Sequence, residues 1–261
     1  MPTPGTGSFC WFELGTNNQP AAVAFYQKLF GWTVQDSPMG PGEVYSMFKL
    51  NGEDAAAAFT LRPEQRDHGV PPHWMIYVAV DDADQIAARA ATLGATIVAP
   101  PFDVFDFGRM AVIQDPTGAM FSIWQAKQHA GVGVWGAPGA ASWGDLSTPD
   151  QTRAADFYTQ LFGWRMVTGK DMVEAAPGDY FHIMNGADMI GGVGPASQRD
   201  PNTPPHWLVY FEAASCSEAT AKATGLGATA YVQNMQIGES GWISVVADPQ
   251  GATFGIHATK A

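Results

Sequence analysis

The sequence contains the same set of short motifs twice, and this internal repeat restricts the fold more than any other feature. AFYQKLFGW at 24–32 returns as DFYTQLFGW at 156–164, which is 132 positions later. PPHW at 71–74 and LGAT at 93–96 both return 133 positions later. The chain is therefore a tandem duplication, in which the second copy carries one extra residue between its first two motifs.

The joint between the two copies reads HAGVGVWGAPGAAS at 129–142. It is rich in Gly and Ala and poor in charge, which is typical of a linker. We therefore predict a first domain at 1–128, a linker at 129–139 and a second domain at 140–261. The two domains are expected to superpose.

Each copy shows the pattern strand, helix and several strands, and then repeats that order. FCWFELGT is a predicted strand, and Asn17 or Asn18 is expected to cap a helix over 19–30. A further helix is expected over 83–92. A strand, a D-P-x-G turn and a last strand complete each copy. The sequence therefore predicts an α+β fold of four βαβββ modules.

Composition excludes several classes of function. The net charge is −12, from 25 acidic against 13 basic residues, and such a chain repels the phosphate backbone of nucleic acids. No apolar run approaches the roughly 20 residues that span a membrane, and the first residues do not resemble a signal peptide. The two isolated cysteines form neither a disulfide framework nor a thiolate metal site. We expect a cytoplasmic protein without nucleic-acid or membrane partners.

The module order, with F-Y-x-x-L-F-G-W in the first helix and D-P-x-G-x-x-F before the last strand, resembles the vicinal oxygen chelate superfamily. That superfamily includes glyoxalase I, extradiol dioxygenases, fosfomycin resistance enzymes and bleomycin resistance proteins. Within it, the chain resembles two-domain actinobacterial glyoxalase-like proteins, which are often labelled hydroxylases. The resemblance implies two tandem glyoxalase/bleomycin-resistance-like domains, in which curled mixed sheets form cups.

In that superfamily a divalent metal sits in the cup, bound by His, Gln or Glu on the first and last strands of the modules. The matching positions in this chain hold Trp11, Trp143, Met75, Leu208, Ser122 and Gly255. None of these residues offers a carboxylate or an imidazole. We therefore expect neither a metal nor another cofactor.

Strand alternation predicts which side chains line the cups instead. The predicted ligand-binding residues are Trp11, Glu13, Tyr77, Arg109, Ser122, Trp124, Trp143, Asp145, Tyr210, Trp242 and His257. Such a lining suits a flat aromatic or apolar small molecule, although inward Trp residues are also common in ordinary cores. Arg109 is expected to reach over the rim towards an anion. Trp242 replaces it in the second copy, so the two cups differ or only one is used.

Four polar residues are candidates for catalysis, namely Glu13, His73, Asp145 and His206. A carboxylate and an imidazole are the groups of general acid–base chemistry. The alternatives are that the acids stay solvated at strand ends and that each histidine, which follows Pro-Pro, hydrogen-bonds to its own loop. A displaced metal site formed by His206, His257 and Asp145 is a further alternative.

These observations favour a metal-independent protein that binds an aromatic or apolar metabolite, with a role in secondary metabolism or resistance. The alternative is an enzyme of the same superfamily, namely a hydroxylase, lyase or isomerase that uses acid–base groups or an atypical metal. A purely structural role is disfavoured, because Trp and Tyr in a cup serve no evident packing need. The partner is expected to be a small molecule, and the sequence leaves monomer and homodimer open.

Overall fold

The structure, a computed structural model, describes residues 4–169, 172–176 and 178–261. Within these residues the fold is α+β, with two mixed sheets and helices packed against them. The described part of the chain contains four modules of the predicted kind, three with the order βαβββ and one, which begins at Ala141, with one additional short strand after its helix. The predicted domain boundaries stay a prediction, and residues 1–3, 170, 171 and 177 of those domains lie outside the described residues.

The first sheet is formed by the first copy and, among the described residues, has eight strands in the order β2-β3-β4-β1-β5-β8-β7-β6. Its strands are β1 (Phe9–Thr16), β2 (Thr33–Gly40), β3 (Glu43–Leu50), β4 (Glu53–Thr60), β5 (His73–Ala79), β6 (Thr96–Val104), β7 (Gly108–Gln114) and β8 (Met120–Ala126). The helices of this copy are α1 (Gln19–Phe30), α2 (Pro63–Asp67) and α3 (Ala83–Thr92). The two prolines of β6 lie in an edge strand, where a missing backbone donor is tolerated.

The second sheet is formed by the second copy and, within the described ranges, has nine strands in the order β11-β10-β12-β13-β9-β14-β17-β16-β15. Its strands are β9 (Ala141–Ser147), β10 (Arg165–Thr168), β11 (Val173–Glu174), β12 (Phe181–Asn185), β13 (Asp188–Val193), β14 (His206–Glu212), β15 (Thr229–Gln236), β16 (Trp242–Ala247) and β17 (Thr253–Ala258). Its helices are α4 (Gln151–Phe162) and α5 (Cys216–Gly225), with a 3-10 turn at Ala196–Gln198.

The helices begin where the sequence predicts. The Asn18 side chain accepts a hydrogen bond from the backbone N–H of Ala21, and Asp82 caps α3 in the same way through Gln85. Gly31 ends α1 in the left-handed conformation. No helix in the described part of the chain is long and apolar enough to cross a membrane.

Two compact units make up the structure, and each takes segments from both copies. Unit one contains the described residues of Met1–Trp11, together with Ile76–Gly131 and Trp143–Leu208. Unit two contains Phe12–Met75, Val132–Ser142 and Val209–Ala261. Each unit therefore combines the first helix of one copy with the last hairpin of the other.

A buried hydrogen-bond network explains the repeated motifs. In unit two the Tyr26 hydroxyl of α1 donates to Asp248 Oδ2 of the D-P-x-G turn at 3.0 Å, and Trp74 Nε1 of PPHW donates to the Tyr26 oxygen at 3.0 Å. Unit one repeats this network with Tyr158, Asp115 and Trp207. The three motifs of each network thus satisfy one another's buried polar groups, which would otherwise destabilise the fold.

Candidate functional site

Backbone register shows which side chains share the sheet face opposite the helices, here called the open face. On β1 and its neighbours, Glu13 pairs with Ala57 and Ala57 pairs with Met47, which places these side chains on one face. The other face carries Ser46, which accepts a hydrogen bond from Gln19 of α1 at 2.8 Å. Glu13 therefore lies on the open face.

The open face of the second copy holds a hydrogen-bonded cluster that lies entirely in unit one. Trp143 Nε1 donates to Asp145 Oδ1 at 2.7 Å and to the Tyr180 oxygen at 3.1 Å, and the Tyr180 hydroxyl donates to the same Asp145 oxygen. His182 lies 5.0 Å from the Tyr180 ring and 6.1 Å from the Trp143 ring, between ring centroids. We call Trp143, Asp145, Tyr180 and His182 the acid–tyrosine cluster.

Glycine makes this geometry possible. Gly192 pairs with Asp145 on β9 and with His182 on β12, so it lies at the centre of the cluster. A Cβ atom at Gly192 would overlap the Tyr180 hydroxyl. The tyrosine therefore crosses the sheet above a residue without a side chain in order to reach the carboxylate.

The first copy repeats part of this arrangement in unit two. The Tyr45 hydroxyl donates to Glu13 Oε1 at 2.8 Å. Met47 and His182 occupy matching positions, because each lies two strands away from the acid of its own sheet, Glu13 or Asp145. Tyr45 and Tyr180 each precede these residues by two positions and are therefore equivalent. Sequence reasoning missed both tyrosines, since motif alignment does not place them opposite each other. Strand alternation in EVYSMFKL puts Tyr45 and Met47 on the same face of β3. That this face is the open face follows only from the register of β3 with β4 and of β4 with β1.

Burial and hydrogen bonding set the electrostatics of the acid–tyrosine cluster. Desolvation lowers the pKa of His182, so this half-buried ring favours its neutral form. Its Nδ1 atom accepts a hydrogen bond from the backbone N–H of Gly169 at 3.2 Å. Two donors, Trp143 Nε1 and the Tyr180 hydroxyl, converge on Asp145 Oδ1. The cluster thus presents a carboxylate surrounded by aromatic rings.

A second group of predicted residues meets on the open face of the first copy within unit one. Tyr77 pairs with Ser122, while Trp124 pairs with Met110 on β7. The Tyr77 hydroxyl contacts Met110 Sδ at 4.0 Å, and its ring centroid lies 6.5 Å from that of Trp124. The predicted residue Trp11 is 4% exposed.

The corresponding strands of the second copy carry different chemistry in unit two. Tyr210 pairs with Gly255, and its ring packs on that glycine. His257 Nδ1 hydrogen-bonds with Glu212 Oε2 at 2.7 Å, and this contact raises the pKa of His257. A hydrogen-bonded histidine–glutamate pair thus stands where the first copy has an apolar wall.

The two histidines of the PPHW motifs hydrogen-bond to their own loops. His73 Nδ1 lies 2.8 Å from the Pro71 carbonyl oxygen, and His206 Nδ1 lies 2.9 Å from that of Pro204. Burial lowers the pKa of both rings. The contacts match the loop-bonding alternative, and the catalytic role of either residue stays a prediction.

Two predicted ligand contacts lie on the other face of the sheets. Arg109 follows Gly108 on β7 and alternates with Met110, so its guanidinium points away from the open face and pairs with Asp84 at 2.6 Å. Trp242 likewise alternates with Ile243, which pairs with His257. Neither residue joins the clusters above, and binding by either stays a prediction.

Two family models match the two copies of the chain. A model described as the glyoxalase/bleomycin resistance protein/dioxygenase superfamily matches residues 8–123, and a glyoxalase-like domain model matches 144–257. The chain belongs to this superfamily. The tandem arrangement of two glyoxalase-like domains expected from the sequence is therefore confirmed.

Two relatives support this membership, and a solved structure is similar in fold. CFP32 of Mycobacterium tuberculosis, named as a glyoxylase, is 38% identical over 248 residues, which cover 94% of this chain and 92% of CFP32. The anthracycline biosynthesis protein DnrV of Streptomyces peucetius is 32% identical over 267 residues, covering 96% and 92%. The Mn(II)-bound glyoxalase of Novosphingobium aromaticivorans is similar in fold, with a TM-score of 0.67 at 15% identity over 98% of this chain and 83% of its own.

The superfamily implies a divalent metal, but the side chains present do not fit one. Among the described residues no three His, Cys, Asp or Glu side chains stand close enough together to hold a metal ion. The members of the suggested displaced site are engaged elsewhere: His257 with Glu212, His206 with its own loop, and Asp145 with Trp143 and Tyr180. We derive no chemistry through a metal at these positions.

Proposed function

We propose that this protein binds a planar aromatic small molecule, without a metal, at the acid–tyrosine cluster of the second copy. The observation that carries this proposal is the convergence of Trp143 and Tyr180 on one carboxylate oxygen of Asp145. These contacts fix the orientation of both aromatic rings on the open face. A preorganised aromatic surface binds a planar ligand with little loss of side-chain entropy.

Partial exposure distinguishes this cluster from its counterpart in the first copy. Trp143, Asp145, Tyr180 and His182 are all half-buried, so their surfaces are within reach of a ligand. In the first copy Trp11 is buried, and Met47 stands at the position of His182. An aromatic contact contributes about 0.5–1.5 kcal/mol beyond simple area burial, so two rings supply a sizeable part of a micromolar affinity.

The named function of one relative supports the class of ligand. DnrV is an anthracycline biosynthesis protein and aligns with this chain over nearly its whole length. Anthracyclines are planar polycyclic quinones, which match the shape that aromatic side chains stack upon. We therefore choose quinizarin, 1,4-dihydroxyanthraquinone, as a probe.

The proposal is tested by calorimetric titration of quinizarin into the EDTA-dialysed protein. Trp143→Ala and Tyr180→Phe should each weaken binding about ten-fold, which corresponds to about 1.4 kcal/mol. The matched control is Tyr45→Phe, which removes the equivalent hydroxyl of the first copy and should leave the affinity unchanged. Equal affinities for wild type, Trp143→Ala and Tyr180→Phe would show that the cluster is not the site.

A second candidate function is acid–base catalysis at the same cluster. The observation that favours it is the hydrogen bond from the Tyr180 hydroxyl to Asp145, which couples a phenol to a carboxyl group. The relative CFP32 is named as a glyoxylase, which agrees with an enzyme. Conversion of a bound aromatic compound by wild type but not by Asp145→Asn, followed by mass spectrometry, would establish turnover.

A further inference from the structure

The end of the β6–β7 hairpin, within unit one, concentrates exposed aromatic side chains. Phe102 is 44% exposed, Phe105 63% and Phe107 50%. The rings of Phe105 and Phe107 stand edge to face, with their centroids 6.4 Å apart. We call Phe102, Phe105 and Phe107 the phenylalanine tip. Exposed apolar surface that is clustered rather than scattered marks a contact with another molecule.

The duplicated hairpin of the second copy shows that the turn itself does not need these rings. The backbone N–H of Phe107 donates to the Val104 carbonyl at 3.0 Å, and Ser240 makes the same bond in the second hairpin at 3.1 Å. Ser240 lies 133 positions after Phe107, and Gly238 lies 133 positions after Phe105. The same turn therefore closes with a serine and a glycine in place of the two aromatic residues.

Phe105 also adopts a backbone conformation that disfavours its own side chain. Its φ is 47°, in the left-handed region, and Gly238 at the equivalent position has a φ of 57°. Glycine enters this region without a steric cost, whereas a bulky residue there is an outlier. The first copy thus keeps an exposed ring at a position where the fold alone favours glycine. Backbone strain of this kind concentrates at functional sites.

The charges beside the tip largely balance one another, which matters in a chain with a net charge of −12. Arg109 Nε lies 2.6 Å from Asp84 Oδ2, and Lys127 Nζ lies 3.0 Å from Asp103 Oδ1. Within the hairpin sequence 96–114, Asp106 is the remaining acid. Two copies of an acidic chain repel each other over most of their surfaces, so a nearly neutral apolar patch is where a second copy can approach.

The prolines of β6 and the area of the tip define the kind of contact. β6 is the outermost strand of the first sheet, and Pro100 and Pro101 remove backbone donors that the addition of another strand would need. Association here therefore uses side chains. A phenylalanine side chain offers about 200 Å², so the exposed part of the tip amounts to about 300 Å² per copy. Two copies supply about 600 Å², a large part of the apolar area in an interface of about 1,600 Å².

We propose that the phenylalanine tip is a docking surface for a second copy of this chain, and that two tips pack against each other about a two-fold axis. Such a contact is self-complementary, because the same patch serves both copies. The tip is held in place for it, since the Phe107 carbonyl accepts hydrogen bonds from the backbone N–H groups of Lys127 and His129, both at 3.0 Å. The tip shares no residue with the acid–tyrosine cluster, so the dimer is independent of the proposed function.

The test is sedimentation velocity of the full chain at concentrations from about 1 to about 100 μM, which bracket a micromolar dissociation constant. The wild type should change from monomer to dimer across this range. The double variant Phe105→Gly/Phe107→Ser, which carries the turn residues of the second copy, should weaken the dimer about ten-fold or more. Tyr231→Ala is the matched control, because Tyr231 is 65% exposed on the edge strand of the second sheet. It should leave dimerisation unchanged.

A thermal measurement separates this role from a purely structural one. Phe105→Gly removes the strain at a φ of 47°, so at a concentration where both proteins are monomeric its melting temperature should not fall below that of the wild type. A lower melting temperature with unchanged dimerisation would show that the ring serves the fold, and this would overturn the proposal. A wild type that stays monomeric at every concentration would also overturn it. Binding of that monomer to phosphatidylcholine vesicles, lost in the double variant, would assign the tip to a lipid surface instead.

Discussion

Replacing Tyr26 by Phe tests whether the repeated motifs hold unit two together. The change removes one hydroxyl and leaves the ring, so the apolar packing of α1 is kept. The hydroxyl links Asp248 Oδ2 and Trp74 Nε1, each at 3.0 Å. All three side chains are buried, so water does not replace the lost oxygen.

The magnitude follows from the two groups that lose this partner. An unsatisfied buried polar group costs about 1–3 kcal/mol, so the loss of a partner by two groups should lower the free energy of unfolding of Tyr26→Phe by about 2–6 kcal/mol. Burial raises the pKa of Asp248 in the intact network. Asp248 Oδ1 still accepts hydrogen bonds from the backbone N–H groups of Gln250 and Ala252, so only Oδ2 of this carboxyl group loses a partner.

The assay is urea unfolding followed by far-ultraviolet circular dichroism. Because the chain forms two compact units, the loss should appear in the transition of the unit that contains Tyr26. Tyr231→Phe is the control, since Tyr231 is 65% exposed and should change stability by less than about 0.5 kcal/mol. A comparable, small effect of Tyr26→Phe would refute the network argument.

Three further predictions address the site and its electrostatics. The hydrogen bond with Glu212 raises the pKa of His257 above 6.5. The pair therefore stabilises the fold fully below pH 6.5, and this contribution disappears as the pH rises through the pKa of His257 in the folded protein. The melting temperatures of wild type and His257→Asn should converge over that range. Gly192→Ala should displace the Tyr180 hydroxyl and weaken quinizarin binding about ten-fold with a smaller effect on melting, and unchanged affinity would contradict this. Mass spectrometry of the purified protein should find substoichiometric Zn, Ni, Mn and Fe. A full equivalent of any of these metals would contradict the expectation.

Much of the fold is predictable from the sequence because its signals are local. The caps at Asn18 and Asp82 and the helix-ending Gly31 lie beside the elements they limit. The repeat predicts the second copy from the first. Strand β2 is not predictable in this way, since TVQDSPMG is mostly exposed and has no apolar alternation.

The candidate site was predictable only in part. Alternation within β1 and β9 places Trp11 with Glu13 and Trp143 with Asp145, because this requires one strand alone. Tyr180 depends on a cross-strand register that includes a β-bulge in β12–β13, which sequence does not reveal.

The most direct test of the central claim is the affinity of the EDTA-dialysed protein for quinizarin with and without added Mn(II). The account places the ligand on aromatic rings held by Asp145, so the dissociation constant should be the same in both titrations once the quinizarin that free Mn(II) chelates is subtracted. Binding that appears only after Mn(II) is added would contradict the account, because the ligand would then depend on a metal that the described side chains do not fit.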